Sequence, residues 1–239
     1  MLPIARSELA QILRNRAVLI TSLLMPLAVS AFFVYSRDTF AELYGLGYIA
    51  AVIVFTIGAF SLYATIVTTL AARRQTLFLK RLRSTTATDR AIIAGLLLPV
   101  TVIALVQVTA ILVVFAVVTE RPADIPVLAV AVLVTYAMML ALGLATAGVT
   151  NSPEQAQVTT LPIALGTLAV ASWVGITGTE SLAWLKRALP GGSATELVVE
   201  TWNGGLPILE ALRLLAPTYG WVVLAIVLAA RFFRWEPRR

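Results

Sequence analysis

Residues 73–90 of the 239-residue chain read RRQTLFLKRLRSTTATDR. This stretch holds six arginines and lysines and a single acid, and long uncharged runs flank it at 43–72 and 91–119. A bilayer core about 30 Å thick needs roughly 20 helical residues to cross it. Both flanking runs are that long, so residues 73–90 are predicted to be a loop between two transmembrane helices.

The composition of the whole chain agrees with a membrane protein. Hydrophobic residues make up 59% and charged residues only 13%, whereas soluble domains carry about 25% charged residues. The chain has no cysteine and no histidine, which excludes thiol chemistry and removes the commonest metal ligand and general base. The net charge of +6 suits nucleic acid or anionic lipid, and the placement of the charges decides between them.

Six uncharged runs are candidates for membrane helices. They are Ala17–Ser36, Leu43–Ala72, Ala91–Thr119, Ile125–Pro153, Gln155–Thr179 and Leu214–Ala230. The last run is the shortest, but aromatic residues that suit an interface follow it. The sequence therefore predicts an all-α integral membrane protein, a single transmembrane domain over 1–239 with six transmembrane helices.

The distribution of arginine and lysine predicts the orientation of these helices. With six spans, thirteen of the eighteen basic residues lie on the side that holds both termini, and five lie on the other. Only four of the twelve acids share the basic side. Basic loops stay in the cytoplasm, so both termini are expected there, and the partner of the basic excess is membrane lipid rather than nucleic acid.

Residues 1–16 are predicted to form an amphipathic helix in the cytoplasmic interface. Apolar side chains share one face and polar ones favour the other: Leu2, Leu9, Ile12 and Leu13 against Ser7, Gln11, Arg14 and Asn15. The alternative is a signal peptide with a cleavage site at Val29–Ala31. Removing such a peptide would destroy the even span count and the charge asymmetry.

Two helix starts carry capping patterns. Thr86-x-x-Asp89 precedes the third run as a capping box. Ser152-Pro153 opens the fifth run, with the Gln155 side chain reaching back to the start of the helix.

Prolines inside predicted spans remove backbone hydrogen bonds and predict kinks. These prolines are Pro26, Pro99 and Pro162.

Residues 179–205 are predicted to contain two short helices on the outer side. TESLAWLKRAL (179–189) has a leucine-rich face, a Pro-Gly-Gly break follows it, and Ser193-x-x-Glu196 reads as a capping box for a helix that stops at Asn203. Glu196 and Glu200 are candidates for an exit path; helix capping and a solvated face are the alternatives. Trp184 and Trp202 suit the outer interface.

The sequence shows no motif for catalysis or for binding a cofactor or metal. No Gly-x-x-x-x-Gly-Lys-[Ser/Thr] phosphate loop exists, so the chain is not predicted to be an ATPase or to bind a cofactor or metal. Ion-coupled carriers and intramembrane enzymes place ionisable groups at membrane depth, and the predicted spans hold almost none. Gln107 is the main polar side chain inside a span and is either an interhelical hydrogen-bonding group or a pathway residue.

The basic loop has two interpretations. It can fix the topology and attract anionic headgroups, or it can be a docking helix with Phe78 and Leu82 on one face and Leu79 beside them. The candidate contact residues are Phe78, Leu79, Lys80, Arg81, Leu82 and Arg83.

Three stretches resemble the type-2 ABC-exporter permeases, the bacterial drug, lipid and polysaccharide export permeases. They are LFLKRLRSTTATDRAIIAG (77–95), NSPEQAQVTTLPIALGTLAVASWVGI (151–176) and LAWLKRALPGGSATELVVETWNGG (182–205). The sequence departs from the family at Thr86, where proline is usual, and at WVGITGTE (173–180). With the six predicted spans, the resemblance covers nearly the whole chain.

The resemblance implies a permease subunit in the bacterial inner membrane. Two such chains, identical or different, would pair with cytoplasmic ATPase subunits that bind ATP, and residues 73–90 would be the coupling loop. An apolar pathway implies an amphiphilic or hydrophobic cargo. The alternative function is a membrane assembly or regulatory protein that docks a cytoplasmic partner through the same loop without transport.

Overall fold

The computed structural model describes residues 2–14, 16–86, 88–233 and 235, and these residues form helices and connecting loops without a strand. The α-helices are α1 Leu2–Arg14, α2 Arg16–Leu19, α3 Met25–Tyr35, α4 Arg37–Tyr44, α5 Leu46–Ile57, α6 Thr65–Gln75, α7 Phe78–Arg83, α8 Asp89–Val118, α9 Ile125–Val149, α10 Pro153–Thr159, α11 Leu161–Thr177, α12 Ala183–Ala188, α13 Gly192–Asn203 and α14 Ile208–Phe232. Two π-helical segments, Ile20–Leu24 and Gly58–Ala64, connect α2 to α3 and α5 to α6.

Within the described residues, five helices are long and apolar enough to cross a membrane: Leu46–Gln75, Asp89–Val118, Ile125–Val149, Pro153–Thr177 and Ile208–Phe232. They correspond to the second to sixth predicted runs. The first run is also helical, but its apolar part, Ser22–Tyr35, is shorter than a typical span. The all-α membrane-type fold is confirmed. Membrane crossing by the first predicted run, which would bring the number of spans to six, stays a prediction.

The helix Leu46–Gln75, here called the central helix, forms the middle of the bundle. Most of its apolar stretch is buried, and Phe55, Leu62, Tyr63 and Ile66 are inaccessible to solvent. The spanning candidates Asp89–Val118, Ile125–Val149 and Pro153–Thr177 pack on it together with α13, whereas α14 packs on α9 and α13. A helix that is apolar on all sides lies either in a protein core or in a membrane, and here the neighbouring helices cover most of its surface.

The bundle has two ends that differ in composition. One end, here called the basic end, holds α7 with the start of α8 and the ends of α9 and α14. The opposite end holds α4, the loop 119–124, α12 and α13. The residues predicted to be the coupling loop and those predicted to be the outer segment therefore lie at opposite ends.

The three prolines have different effects. Pro99 lies inside an uninterrupted α8, Pro26 follows the first π-helical segment, and Pro162 follows the break between α10 and α11 at Thr160. Proline removes one backbone hydrogen bond, and a π-helical segment shifts the register of several more. Interruptions of the regular α-helix thus accompany Pro26 and Pro162 but not Pro99, and the kinks at these prolines stay predictions.

The predicted helix starts are confirmed at one site and wrong at another. The Ser152 side chain accepts a hydrogen bond from Gln155 N at 3.2 Å, and Gln155 Oε1 accepts one from Asn151 N at 2.8 Å. The capping box at Thr86 is wrong because Thr88 is the N-cap, where its hydroxyl accepts from Ala91 N at 3.3 Å. Several threonines precede α8, and the backbone selects the one adjacent to its first turn.

Residues 179–205 contain two short helices, α12 and α13. Nine of the twelve residues of α13 are buried, so this helix lies among the ends of the longer helices. At Gly47 a Cβ would stand 2.6 Å from the carbonyl oxygen of Val199, which shows how closely α13 approaches the central helix. The Asn203 side chain accepts a hydrogen bond from Gly47 N at 3.0 Å and so caps the start of the central helix.

Part of the predicted N-terminal face and of the C-terminal charge excess lies outside the described residues. This applies to Asn15, Arg234, Glu236, Arg238 and Arg239, and to the side chains of Leu2, Ile12 and Leu13. Of the rest of α1, Ser7, Gln11 and Arg14 are exposed as predicted, and Leu9 is also exposed. Among the side chains of α1 that the structure describes, those of Ala5 and Glu8 are buried.

Candidate functional site

The short helix α7 begins at an unusual backbone position. Leu77, which precedes it, has φ of +56°, a left-handed conformation that costs a non-glycine residue about 1–3 kcal/mol. Arg81 closes this turn by donating from Nη2 to the carbonyl oxygen of Thr76 at 3.0 Å. The turn fixes the direction of α7 relative to the central helix and leaves the Leu77 side chain exposed.

The apolar face of α7 packs on the chain itself. Leu79 is fully buried, and Phe78 and Leu82 are partly buried against the hydrophobic core. The exposed face consists of Leu77 and the three cations Lys80, Arg81 and Arg83. Docking of a partner on α7 stays a prediction, and the surface that remains for it is the basic one rather than the Phe78–Leu82 face.

Arg73 joins α1 to the base of α7. Its Nε and Nη2 donate to the carboxylate of Glu8 at 2.9–3.2 Å, and its Nη2 also donates to Gln11 Oε1. The guanidinium lies over the ring of Phe78 at 5.3 Å. The Glu8 side chain is only 2% exposed, so this is a desolvated two-pronged pair, the geometry that arginine forms best with carboxylates.

Arg74 joins the central helix to the end of α9. It is 1% exposed and donates from Nη1 to the carbonyl oxygens of Ala147 and Thr150 at 2.7 and 2.8 Å. Its guanidinium lies 5.3 Å from the centre of the Phe233 ring, just past α14. The last carbonyls of a helix lack partners within it and carry partial negative charge, so a buried arginine stabilises the end of α9.

Arg83 makes the third connection at the basic end. Its Nε lies 3.2 Å from Asp89 Oδ1 at the start of α8, and its Cζ lies 5.2 Å from the ring centre of Trp235. Both partners of the ion pair are about half exposed, so the pair adds little stability. The three arginines together connect α7 and the central helix to α1, α8, α9 and the segment after α14.

Gln107 is buried in a polar cluster between helices. Ser61 Oγ lies 2.8 Å from Gln107 Oε1 and 2.5 Å from the carbonyl oxygen of Ser22, and Gln107 Nε2 donates to the carbonyl oxygen of Leu23 at 3.3 Å. Ser22 and Leu23 belong to the first π-helical segment, and Ser61 belongs to the second. The interhelical role expected for Gln107 is therefore present, and it involves backbone carbonyls of the first π-helical segment and the Ser61 side chain of the second.

Glu196 belongs to a tight ionic cluster at the opposite end. Arg187 donates to both carboxylate oxygens, from Nε at 2.7 Å and from Nη2 at 2.6 Å, and Thr179 Oγ1 donates at 2.6 Å. Hydrogen bonding to Glu196 raises the pKa of Arg187 above its usual value. The carboxylate of Glu196 thus accepts from Arg187 and Thr179 rather than from the start of α13, so the capping alternative is wrong, and the exit path stays a prediction.

The capping box predicted at Ser193 is wrong. The helix α13 starts at Gly192 after Gly191, whose φ is +95°, so Ser193 already lies in its first turn. The Ser193 hydroxyl lies 3.0 Å from that of Thr218 on α14.

Glu200, the other candidate on α13, is exposed, in agreement with the alternative of a solvated face.

Lys186 is a buried cation that the sequence did not single out. Its Nζ donates to Thr177 Oγ1 at 2.8 Å and to the carbonyl oxygen of Gly178 at 2.7 Å, and it lies 5.1 Å from the ring centre of Trp173. It therefore stabilises the end of α11 as Arg74 stabilises the end of α9.

Trp202, expected at the interface, is buried against Phe115 at 5.0 Å between ring centres, while Trp184 is exposed.

One sequence signal could have indicated the Arg73 pair. Glu8 is the only acid among the first 37 residues, and a single acid in a basic segment next to a membrane needs a cationic partner when it is buried. No comparable signal exists for Arg74 and Lys186. Their partners are backbone carbonyls, which any sequence supplies.

Comparisons of the chain with protein-family models, with curated proteins and with solved structures find no match.

Proposed function

We propose that this chain is the membrane-spanning permease subunit of an ATP-driven exporter of the type-2 ABC class. It works as a pair with a second permease chain and with separate cytoplasmic ATPase subunits that bind ATP. The observation that carries this proposal is the construction of α7. A short basic helix projects an exposed cationic face at one end of a bundle of apolar helices, and its buried face is fixed in that bundle.

The contacts around α7 suit the transmission of force. Leu79 is fully buried beneath the exposed cations, so a push on α7 displaces the core rather than a loose loop. Arg73 passes that displacement to α1 through Glu8, and Arg74 passes it to the end of α9. Packed elements move as rigid units, and α7 is the coupling helix of this arrangement.

The proposed topology places the basic end in the cytoplasm of a bacterial inner membrane. The thirteen basic residues of the predicted cytoplasmic side support this orientation. The helical stretch from Arg16 to Tyr35 is the first transmembrane helix and brings the total to six, because about 20 helical residues cross a bilayer core. In this arrangement α1 lies in the cytoplasmic interface, and α12 and α13 lie at the outer side.

The proposed cargo is amphiphilic or hydrophobic. In the five spanning candidates, the charged side chains are confined to the regions near the helix ends. A carrier of small ions needs charged or coordinating groups at membrane depth. An apolar pathway between such helices favours cargo that carries its own apolar surface.

Purification from native membranes tests the proposal. The chain isolated in mild detergent should carry an ATPase with a phosphate-loop lysine, and substitution of that lysine should abolish ATP hydrolysis by the complex. Isolation of a stable chain without any ATPase would contradict the proposal. ATP-driven export by the complex in proteoliposomes distinguishes a transporter from a non-transporting protein that docks the same partner.

A further inference from the structure

A pocket lies between α8 and α9 next to the loop that joins them. Its volume is about 720 Å³, within the range of roughly 300–1,000 Å³ typical of ligand sites. Leu112, Leu128 and Val132 form its buried part, and Trp202 from α13 forms one wall. No function described above uses this pocket.

The pocket is long in the direction of the helices. Its wall on α8 extends from Leu105 to Val117, a distance of about 18 Å at 1.5 Å per residue. Half of a hydrocarbon core of about 30 Å is about 15 Å, the depth that the acyl chains of one leaflet occupy. The pocket therefore has the length of a single acyl chain and extends inward from a helix end, where lipid headgroups lie.

The mouth of the pocket opens towards the surroundings of the apolar helices. Val113, Val117, Ile125 and Leu133 belong to its lining and are also exposed. Both helices are among those able to span a membrane. On such helices, exposed valine, isoleucine and leucine side chains face lipid, so acyl chains reach the pocket directly from the bilayer.

The charged side chain in the pocket lining is Arg121. It is exposed and makes no ion pair with any residue that the structure describes. The nearby carboxylate of Asp124 accepts a hydrogen bond from Val127 N at 3.0 Å and caps α9, and Glu120 does not belong to the lining. The rim of the pocket thus offers a cation to an anionic headgroup.

Trp202 contributes an apolar wall. The residue is 3% exposed, and its indole Nε1, which has no hydrogen-bond partner among the described residues, is inaccessible to solvent. The pocket therefore meets the apolar part of the indole ring, which suits an acyl chain.

From these observations we infer that the pocket binds one acyl chain of an anionic phospholipid, with Arg121 contacting the headgroup. The inference is independent of the proposed transport function, because it concerns the chain alone in a bilayer. An apolar lining selects an aliphatic chain, a mouth towards the bilayer selects a membrane lipid, and one unpaired arginine selects negative charge.

Photo-crosslinking of the purified chain in phosphatidylcholine vesicles tests the inference. The probes are phosphatidylglycerol and phosphatidylcholine that carry a diazirine in one acyl chain, and labelled peptides are located by mass spectrometry. Phosphatidylglycerol should label the pocket segments of α8 and α9 about fivefold more than phosphatidylcholine, the effect expected of one basic residue near an anionic headgroup. Arg121→Gln should remove this preference, and Arg213→Gln, at another exposed arginine, should not.

Filling the pocket provides the second arm. Ala129 is an exposed residue of the lining and Ala137 is an exposed residue of the same helix outside it. Ala129→Trp should abolish labelling of the pocket segments, and Ala137→Trp should leave it unchanged. Equal labelling by both lipids, or labelling that Ala129→Trp does not alter, would overturn the inference. Absence of labelling together with a disulfide between two Ala129→Cys chains would also overturn it and would show that a second copy covers the pocket.

Discussion

Arg73 and Glu8 form a two-pronged ion pair that ties the N-terminal helix to the base of α7. The Nη2–Oε2 distance is 2.9 Å, and the Glu8 side chain is 2% exposed. Because the same guanidinium covers the ring of Phe78, α1 and α7 share one cation. A movement of either helix therefore changes the environment of the other.

Glu8→Gln should destabilise the protein. The neutral amide loses the charge-assisted bonds to Arg73, and such bonds contribute about 1.5–3 kcal/mol. The thermal unfolding midpoint in detergent measures the loss. Arg37→Gln is the control, because its pair with Asp38 is long, at 3.6 Å, and Asp38 is exposed. Equal midpoints for Glu8→Gln and the unmodified protein would show that the ion pair does not stabilise the folded protein.

Glu196 and Glu200 should respond differently to the same substitution. Glu196→Gln breaks a buried carboxylate cluster with Arg187 and Thr179 and should lower the free energy of unfolding by about 1–3 kcal/mol. Glu200→Gln, one helical turn further on an exposed face, should have little effect. Unfolding by denaturant in detergent compares the two variants. A larger effect at Glu200 than at Glu196 would contradict the described cluster.

The cluster around Glu196 should not titrate near neutral pH through its arginine. Hydrogen bonding to Glu196 raises the pKa of Arg187. A cation with a raised pKa in the folded state keeps its stabilising effect below the unfolded pKa and loses it only as the pH rises through the folded value. That value lies above the usual range of guanidinium, so Arg187 should contribute equally on both sides of neutrality. Arg187→Lys should weaken the pair, since lysine cannot donate in the two-pronged geometry.

Gln107→Leu should loosen the contact between the two π-helical segments. It removes the partner of Ser61 and the donor to the Leu23 carbonyl oxygen, and each interhelical bond of this kind contributes about 0.6–1.7 kcal/mol. The unfolding midpoint in detergent should fall for this variant. Thr101→Val is the control, because its hydroxyl bonds to Leu97 within the same helix. A stable Gln107→Leu protein would leave the pathway role as the remaining explanation for this residue.

Cysteine labelling tests the proposed topology, and the chain has no native cysteine to interfere. Single cysteines at the exposed positions Ser7, Thr39, Thr76 and Ser181 report on four segments. An impermeant thiol reagent applied to intact cells should label Thr39→Cys and Ser181→Cys but not the other two. Labelling of Ser7→Cys and Thr39→Cys from the same side would show that the first run does not cross the membrane.

The sequence predicts the long helices well because hydropathy alone determines them. The five spanning candidates agree with five of the six predicted runs, since no other arrangement hides so many consecutive apolar residues. The start at Ser152 was also predictable, because Pro153 leaves one clear place for the helix to begin.

Tertiary contacts explain the features that the sequence did not reveal. Gly191 takes a positive φ and moves the start of α13 ahead of Ser193, whose hydroxyl then meets Thr218. Trp202 resembles an interface anchor until α13 places it against Phe115. The apolar face of α7 resembles a partner surface, but the chain's own core covers Leu79. Each of these positions depends on residues far away in the sequence.

Site-specific cross-linking from α7 tests whether this helix contacts an ATPase. Lys80→Cys, on the exposed face of α7, can carry a benzophenone in native membranes, and Ser181→Cys at the opposite end is the matched control. Illumination of the Lys80→Cys protein should yield a product that contains an ATPase with a phosphate-loop lysine, and the Ser181→Cys protein should yield none. If Lys80→Cys gives no ATPase adduct in membranes where the complex hydrolyses ATP, α7 is not the coupling helix.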